Sequence, residues 1–110
     1  MKISVIIPAY NAATTIAECL ESVARQTIAA FEVILVDDGS IDDTQTIAAG
    51  FEGQVNLRLV TQVNLGLGKA RNAGMAVATG DAYAFLDADD VWLPNKLEQG
   101  YTGLLKYPKT

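Results

Sequence analysis

Histidine is absent from this chain, and cysteine occurs only once. The lack of histidine excludes histidine-based catalytic triads and imidazole metal sites, so any metal would be bound through oxygen. A single cysteine excludes an intrachain disulfide, which makes the cytoplasm the expected compartment. Cys19 falls on the apolar face of a predicted helix, and we expect it to fill the core.

Basic clusters and long apolar runs are also missing. The chain has 8 basic and 13 acidic residues, a net charge of -5. Without a basic cluster, a nucleic-acid backbone is not expected as partner. The apolar run 3–7 ends at Pro8 and is too short for a signal peptide or a membrane span. Peripheral attachment to the inner face of the membrane remains an alternative to a purely cytoplasmic protein.

Hydrophobic patterning predicts one domain of alternating strands and helices. Half of the 110 residues are apolar, which is enough for a core. This alternation implies a parallel sheet with right-handed crossovers. The third strand alternates with polar residues and should lie near an edge. The predicted strands are Ile3–Ile7, Phe31–Val36, Val55–Val60 and a buried run that ends at Leu86.

Each predicted strand is followed by a helical pattern. Thr15 and Glu18 have the spacing of a capping box at the start of the first helix. The third helix has small residues, among them Gly74, that would let it pack close to a sheet. The helices are expected to start near Thr14 or Thr15, near Asp42 or Asp43, at about Lys69 and with Pro94 in the first turn of the last one. The third helix is expected to end at Ala78 and the fourth at about Lys106.

Polar side chains follow three of the four predicted strands, at Tyr10–Asn11, Asp37–Asp38 and Asp87–Asp90. A parallel sheet brings these ends to one edge, where ligands bind in open α/β sheets. Asp87 and Asp89 could there hold a divalent cation that bridges the phosphates of a nucleotide. Taken alone, the acidic cluster is more simply a solvated turn and Asp38 a helix cap. The convergence of three such ends favours a ligand crevice.

Familiar phosphate-binding motifs do not fit this sequence. A Walker A loop would need glycine at position 63 and serine or threonine at position 70, where the chain has Val63 and Ala70. A dinucleotide fingerprint would open the first helix, where the chain has Pro8–Asn11. A phospho-receiver domain would need paired acids after the first strand, and none are there.

Four segments together resemble the signature of family 2 glycosyltransferases, in the family's order and spacing. They are Ser4–Asn11, Val36–Ser40, Asn64–Gly74 and Leu86–Asp90. The resemblance runs from about residue 3 to residue 98. It implies a Rossmann-like three-layer α/β/α fold with a mainly parallel sheet, known as GT-A. It also implies transfer of a sugar from a nucleotide-diphosphate donor, with inversion at the anomeric carbon.

The resemblance also assigns roles to individual residues. Asp87 and Asp89 match its D-x-D motif, with Asp89 as the direct ligand of Mn²⁺ or Mg²⁺. Asp38 matches the contact to the base, usually uracil. Two assignments have open alternatives: Arg71 as an internal salt-bridge partner of one of the acids, and Asn64 as a loop residue in the left-handed conformation. The nucleotide-binding residues that it implies are Pro8, Ala9, Tyr10, Asn11, Asp38, Asn64, Arg71 and Asp87.

Enzymes of this family continue well beyond the D-x-D strand, where they place the acceptor site and the catalytic base. No acid after Asp90 suits that role, because Glu98 is expected on a solvated helix face. We therefore expect residues 1–110 to be the truncated, nucleotide-sugar-binding half of the domain. No catalytic residue is predicted in the chain, and the base is expected beyond Thr110.

The acceptor is expected to be a carbohydrate, lipid-linked or protein substrate, as in cell-wall or polysaccharide biosynthesis. The missing base motivates an alternative from a different class, a non-catalytic nucleotide-binding or assembly module. A half-sheet would also leave an apolar edge uncovered, which predicts a homo-oligomer.

Overall fold

The computed structural model describes residues 2–99, which alternate strictly between strand and helix. Residues 96–99 are helical, and the rest of the helix predicted to reach about Lys106 lies outside the described residues. Within residues 2–99, no helix combines the length and the apolar character needed to cross a membrane. The elements are β1 (Ile3–Ala9), α1 (Ile16–Ala24), β2 (Glu32–Asp37), α2 (Thr44–Ala49), β3 (Leu57–Thr61), α3 (Leu67–Val77) and β4 (Ala82–Phe85).

The four strands form one parallel sheet in the order β3-β2-β1-β4. The central strands β1 and β2 are buried along their whole length, as expected for strands covered on both faces. The predicted edge position of β3 is confirmed. The prediction of a fully buried β4 is wrong, because β4 ends the sheet on the other side and the Phe85 side chain is 44% exposed.

Two apolar clusters lie on opposite faces of the sheet, and together they make three layers. Alternate residues of β1 divide between them, because successive side chains of a strand point to opposite faces. Ile7 belongs to the same cluster as Leu20 of α1, whereas Ile6 belongs to the cluster that contains Ala70 of α3. A Cβ at Gly74 would lie 2.5 Å from Ile6 Cγ2, so glycine permits the close approach of α3 to β1.

Several predicted boundaries and caps are wrong by small amounts. Phe31 precedes β2, and β3 begins at Leu57 because residues 51–55 form turns closed by Phe51 O. Helix α3 begins two residues before Lys69 and ends at Val77. Thr15 and Asp43 occupy N-cap positions, but neither side chain makes a capping hydrogen bond. The predicted capping box does not form, and the hydrogen bond that Thr15 Oγ1 makes is a donation to Ala12 O, at 3.4 Å.

Candidate nucleotide-sugar site

A crevice of about 430 Å³ lies beyond the carboxyl ends of β1 and β4. The sequence predicted a ligand site at this edge, because the carboxyl ends of parallel strands lie together there. Ala9, Asp38 and Asn64 are not among the lining residues, whereas the other predicted site residues are. The predicted residues that line it are Pro8, Tyr10, Asn11, Arg71, Asp87 and Asp89.

The loop after β1 is held by the loop after β2. Asn11 N donates to Ser40 Oγ at 2.8 Å, and Ile41 N donates to Asn11 Oδ1 at 3.0 Å. Ala12 N donates to Thr44 Oγ1 at 2.9 Å. These bonds hold Asn11 at φ +48°, which asparagine tolerates better than most residues. Asn11 therefore shapes one wall of the crevice while its side-chain oxygen is already occupied.

Asp38 holds the loop between β3 and α3. The residue is 2% exposed, and its carboxylate accepts hydrogen bonds from Gln62 Nε2 at 2.7 Å, Leu65 N at 2.8 Å and Gly66 N at 3.0 Å. The bond from Gln62, followed by that from Leu65, holds the pKa of Asp38 below its ordinary value although burial opposes the shift. Asp38 is thus an anionic anchor, and the predicted contact to a base stays a prediction.

Asn64 lies in the loop that Asp38 holds. A Cβ at Gly39 would lie 3.0 Å from Asn64 N, and Gly39 has φ +82°, so both space and conformation require glycine there. The alternative that Asn64 itself adopts the left-handed conformation is wrong. Among residues 2–99, Asn11 is the one non-glycine residue with positive φ, and Gly66 takes that conformation in this loop, at φ +102°.

The acidic residues after β4 stand on a tight turn. Asp90 N donates to Asp87 O at 3.0 Å, while Ala88 is buried and packs into the core. Asp87, Asp89 and Asp90 are exposed, and each offers one carboxylate oxygen within 4.8 Å of the others. The buried Ala88 therefore anchors the turn, while the acids on either side of it keep their carboxylates in solvent.

Arg71 reaches this acidic turn from α3. Its Nη2 lies 3.3 Å from Asp87 Oδ1, and both side chains are about half-exposed. The internal salt bridge considered for Arg71 is therefore confirmed. An exposed pair of this kind stabilises a fold by about 0–1 kcal/mol. Its main consequence is to place a guanidinium beside the carboxylates at the crevice wall.

The acidic cluster fits a divalent cation. Two oxygens bound to one Mg²⁺ at about 2.1 Å lie at most about 4.2 Å apart, so oxygens within 4.8 Å need only small side-chain shifts. One carboxylate oxygen of Asp87 is already paired with Arg71, whereas the Asp89 carboxylate accepts no hydrogen bond from residues 2–99. The Asp90 carboxylate is equally free within residues 2–99, but of these two acids only Asp89 lines the crevice. Carboxylate oxygens are the ligands that hard cations prefer.

Cys19 lies directly beneath the acidic turn. Its Sγ donates weakly to Asp87 O at 3.6 Å, and the side chain is fully buried. Burial, together with the charges of Asp90, Asp89 and Asp87, raises the pKa of the Cys19 thiol to about 12. The prediction that Cys19 fills the core is confirmed, and its thiol stays protonated at neutral pH.

Sequence reasoning missed some residues of the crevice. Leu67 begins α3, two residues before the predicted start at Lys69. Thr14 and Thr15 were interpreted from the sequence as helix caps. Their position, two hydroxyls directly after the loop that follows β1, is the signal that could have identified them as crevice residues. The lining residues that were not predicted are Ala12, Thr14, Thr15, Leu67 and Ala88.

The chain belongs to glycosyl transferase family 2, whose family model matches residues 4–110. A curated relative from Escherichia coli, the UDP-Glc:alpha-D-GlcNAc-diphosphoundecaprenol beta-1,3-glucosyltransferase WfgD, is 38% identical over 104 residues. The match covers 94% of this chain and 41% of the relative. The chain spans only 31% and 28% of two other curated relatives, each 46% identical to it.

Solved structures that bind nucleotide sugars share the fold. Residues 1–349 of S. aureus TarS, in complex with UDP-GlcNAc, have 37% identity and a TM-score of 0.84, and the match covers 94% of this chain and 30% of that TarS chain. The mannosyltransferase PcManGT of Pyrobaculum calidifontis, in complex with GDP-Man and Mn²⁺, has 29% identity and a TM-score of 0.83. That match covers 94% of this chain and 32% of PcManGT. The predicted GT-A fold is confirmed.

Proposed function

We propose that residues 1–110 are the nucleotide-sugar-binding half of a glycosyltransferase domain. In this proposal the donor is a nucleotide-diphosphate sugar, UDP-linked, and the sugar passes to an acceptor with inversion. The observation that carries the proposal is the crevice in which Asp87, Asp89 and Arg71 meet Tyr10 at the carboxyl edge of the sheet. Support also comes from family membership and from similar structures that contain UDP-GlcNAc or GDP-Man.

The side chains of the crevice suit the two ends of such a donor. Tyr10 is 44% exposed and offers a ring face to a base. Asp89 and Asp87 would hold Mn²⁺ or Mg²⁺, and Arg71 can donate to phosphate oxygens from the same wall. A bound divalent cation would neutralise charge on the departing nucleoside diphosphate.

The acceptor and the catalytic base belong to the proposal for the whole protein. Asp87 and Asp89 are the carboxylates that line the crevice within residues 2–99, and both are assigned to the cation. The base therefore stays a prediction for the chain beyond Thr110. The name of WfgD specifies a lipid-diphosphate acceptor, which supports a lipid-linked acceptor for this protein as well. In the proposal this acceptor is used in cell-wall or polysaccharide synthesis at the inner face of the membrane.

The alternative of a non-catalytic nucleotide-binding or assembly module keeps the same crevice without turnover. A transfer assay on the full-length protein separates the two, since only an enzyme consumes the donor. The predicted homo-oligomer rests on the edge of β4, which no other strand of residues 2–99 pairs with and where Phe85 is exposed. Light scattering of the chain tests it, and a monomer at high concentration contradicts it.

Nucleotide binding should depend on a divalent cation. We expect UDP to bind the chain with measurable heat in calorimetric titration when Mn²⁺ is present, and much more weakly in EDTA. GDP and ADP serve as comparisons for the base. Equal binding of UDP in EDTA would contradict the role of the cation, and the absence of binding by all three nucleotides would contradict the nucleotide site.

Arg71→Met should change metal and nucleotide binding in opposite directions. Without nucleotide, Mn²⁺ should bind more tightly, because the arginine no longer competes for Asp87. With Mn²⁺ present, UDP should bind about 10–100-fold more weakly, since a hydrogen bond to a charged group is worth about 1.5–3 kcal/mol.

The matched control for this prediction is Arg25→Met. Arg25 pairs with Glu21 on the exposed surface of α1 and is absent from the crevice lining. Calorimetry with Mn²⁺ alone, and then with UDP, measures both affinities for each variant. A parallel fall of both affinities in Arg71→Met would contradict the competition between arginine and cation for Asp87.

A further inference from the structure

Residues at the end of α1 and just after it form hydrogen bonds with residues 92–97, the segment that follows the acidic turn. Ser22 Oγ accepts a hydrogen bond from Trp92 N at 3.1 Å. Thr27 N donates to Pro94 O at 2.8 Å. Gln26 lies between these two contacts, four residues after Ser22, and its side chain makes the densest set of bonds in this group.

The side-chain amide of Gln26 is fully engaged. Its Nε2 donates to Leu93 O at 2.7 Å and to Ser22 O at 3.0 Å, and its Oε1 accepts from Leu97 N at 2.8 Å. The residue is only 9% exposed. Both amide hydrogens and the oxygen are used, so the side chain is locked and ties residues 93–97 to the end of α1.

These bonds fix one end of the acidic turn. The other end is fixed by the sheet, where Leu86 N donates to Ile6 O at 3.0 Å. Residues 87–92 therefore span two anchors, β1 on one side and the Gln26 region on the other. Buried Ala88 and the bond from Asp90 N to Asp87 O hold the first part of the turn. The carboxylate oxygens lie within 4.8 Å of one another, so a shift of the Gln26 region would change the separation of Asp89 and Asp90 from Asp87.

We propose that Gln26 is a positioning residue for cation binding by the acidic turn of Asp87, Asp89 and Asp90. The inference rests on the proposed function, and it deepens it. Gln26 does not line the crevice and does not touch the carboxylates. It acts through the backbone of residues 93–97, one step further from the cation than the outer-shell residues that bond directly to metal ligands.

Gln26→Met is the direct test, because methionine has similar length and is apolar. It leaves Leu97 N without its acceptor and Leu93 O without its donor. We expect the affinity for Mn²⁺ to fall about tenfold, the lower end of the 10–100-fold range for outer-shell changes. The measurement is the electron paramagnetic resonance signal of free Mn²⁺ during titration of the complete chain.

The control is Glu32→Ala, which should also lower stability but at the amino-terminal end of the sheet, away from the acidic turn. Circular dichroism during urea titration gives the stability of each variant. The inference requires weaker Mn²⁺ binding in Gln26→Met and wild-type affinity in folded Glu32→Ala. Equal loss in both variants would overturn it, because the effect would then follow from general destabilisation.

Two further outcomes separate this inference from the proposed function. If the wild-type chain does not bind Mn²⁺, the cation site itself is wrong, and the inference falls with it. If the wild type binds and Gln26→Met binds equally well, only the inference is overturned. Should Gln26→Met not fold, Ser22→Ala replaces it, since it removes the acceptor of Trp92 N and, besides that, only the bond that the hydroxyl donates to Cys19 O within α1. A several-fold weaker affinity supports the inference, and unchanged affinity overturns it.

Discussion

Asp89→Asn should abolish the Mn²⁺-dependent part of UDP binding. The carboxylate of Asp89 is exposed and free of hydrogen bonds within residues 2–99, so its oxygens are available to a cation. The side-chain amide of asparagine is neutral, so the variant lacks the negative charge that attracts the cation. We expect the affinity measured with Mn²⁺ to fall by roughly 100-fold or more, beyond the effect of most outer-shell changes. Calorimetric titration with UDP, with Mn²⁺ and then with EDTA, measures it.

Two matched variants make this result specific to Asp89. Asp43→Asn removes the same charge at the exposed N-cap of α2, where the side chain makes no capping bond, and should leave binding unchanged. Asp90→Asn should have a smaller effect if Asp87 and Asp89 are the ligands. Wild-type binding by Asp89→Asn, or equal losses in Asp43→Asn, would rule out Asp89 as a ligand.

Glu32→Ala should lower the free energy of unfolding by about 2–4 kcal/mol. Glu32 is 2% exposed and accepts from Ser4 Oγ at 2.7 Å and from Thr79 N at 2.6 Å. Arg58 Nη1 lies 3.5 Å from its other oxygen. Alanine removes these bonds to a charged group, each worth about 1.5–3 kcal/mol at most, and leaves the buried Ser4 hydroxyl without its acceptor. Thr79 and Arg58 are exposed and can bond to water instead. Urea denaturation followed by circular dichroism measures the difference.

The effect of Glu32→Ala should also depend on pH. Burial raises the pKa of Glu32, but the bonds from Thr79, Ser4 and Arg58 outweigh it and hold the pKa below its ordinary value of 4.5. The carboxylate is therefore favoured in the folded state. Its contribution is complete above pH 4.5 and is lost as the pH falls through the lowered pKa. The stability difference between wild type and variant should shrink in that acidic range.

Glu52→Ala is the control for both parts of this prediction. Glu52 is exposed and its side chain forms no hydrogen bond within residues 2–99. Its replacement should change stability by no more than about 0.5 kcal/mol, with little dependence on pH. A Glu32→Ala variant as stable as Glu52→Ala would mean that water replaces the buried carboxylate without cost.

Local sequence was a good guide to the elements of this fold because their signals are short-range. The apolar run at the start of β1 and the alternation in β3 lie within the strands that form them. The acids after β4 are brought to the crevice because a parallel sheet leaves strand ends on one edge. The depth of burial of β4 was not predictable from its apolar residues, since it depends on which strands lie beside it.

Side-chain roles were less predictable, because they depend on partners distant in sequence. Asp38 belongs to the second of the four family segments, yet its carboxylate accepts hydrogen bonds from a loop that lies 24–28 residues further along the chain. Gln26 has no distinctive local pattern, and its bonds to Leu93 and Leu97 join residues separated by 67 and 71 positions. Nothing near Gln26 in the sequence indicates those partners.

The sequence by itself determined the α/β class, the order of strands and helices, the oxygen character of any metal site and the four motifs of the family. These follow from residue types and local spacing, which act without knowledge of the rest of the chain. Only the tertiary structure decided that Arg71 pairs with Asp87 while Asp89 stays available, and that α1 anchors the acidic turn. Those facts depend on which hydrogen-bonding groups are brought together when the layers pack.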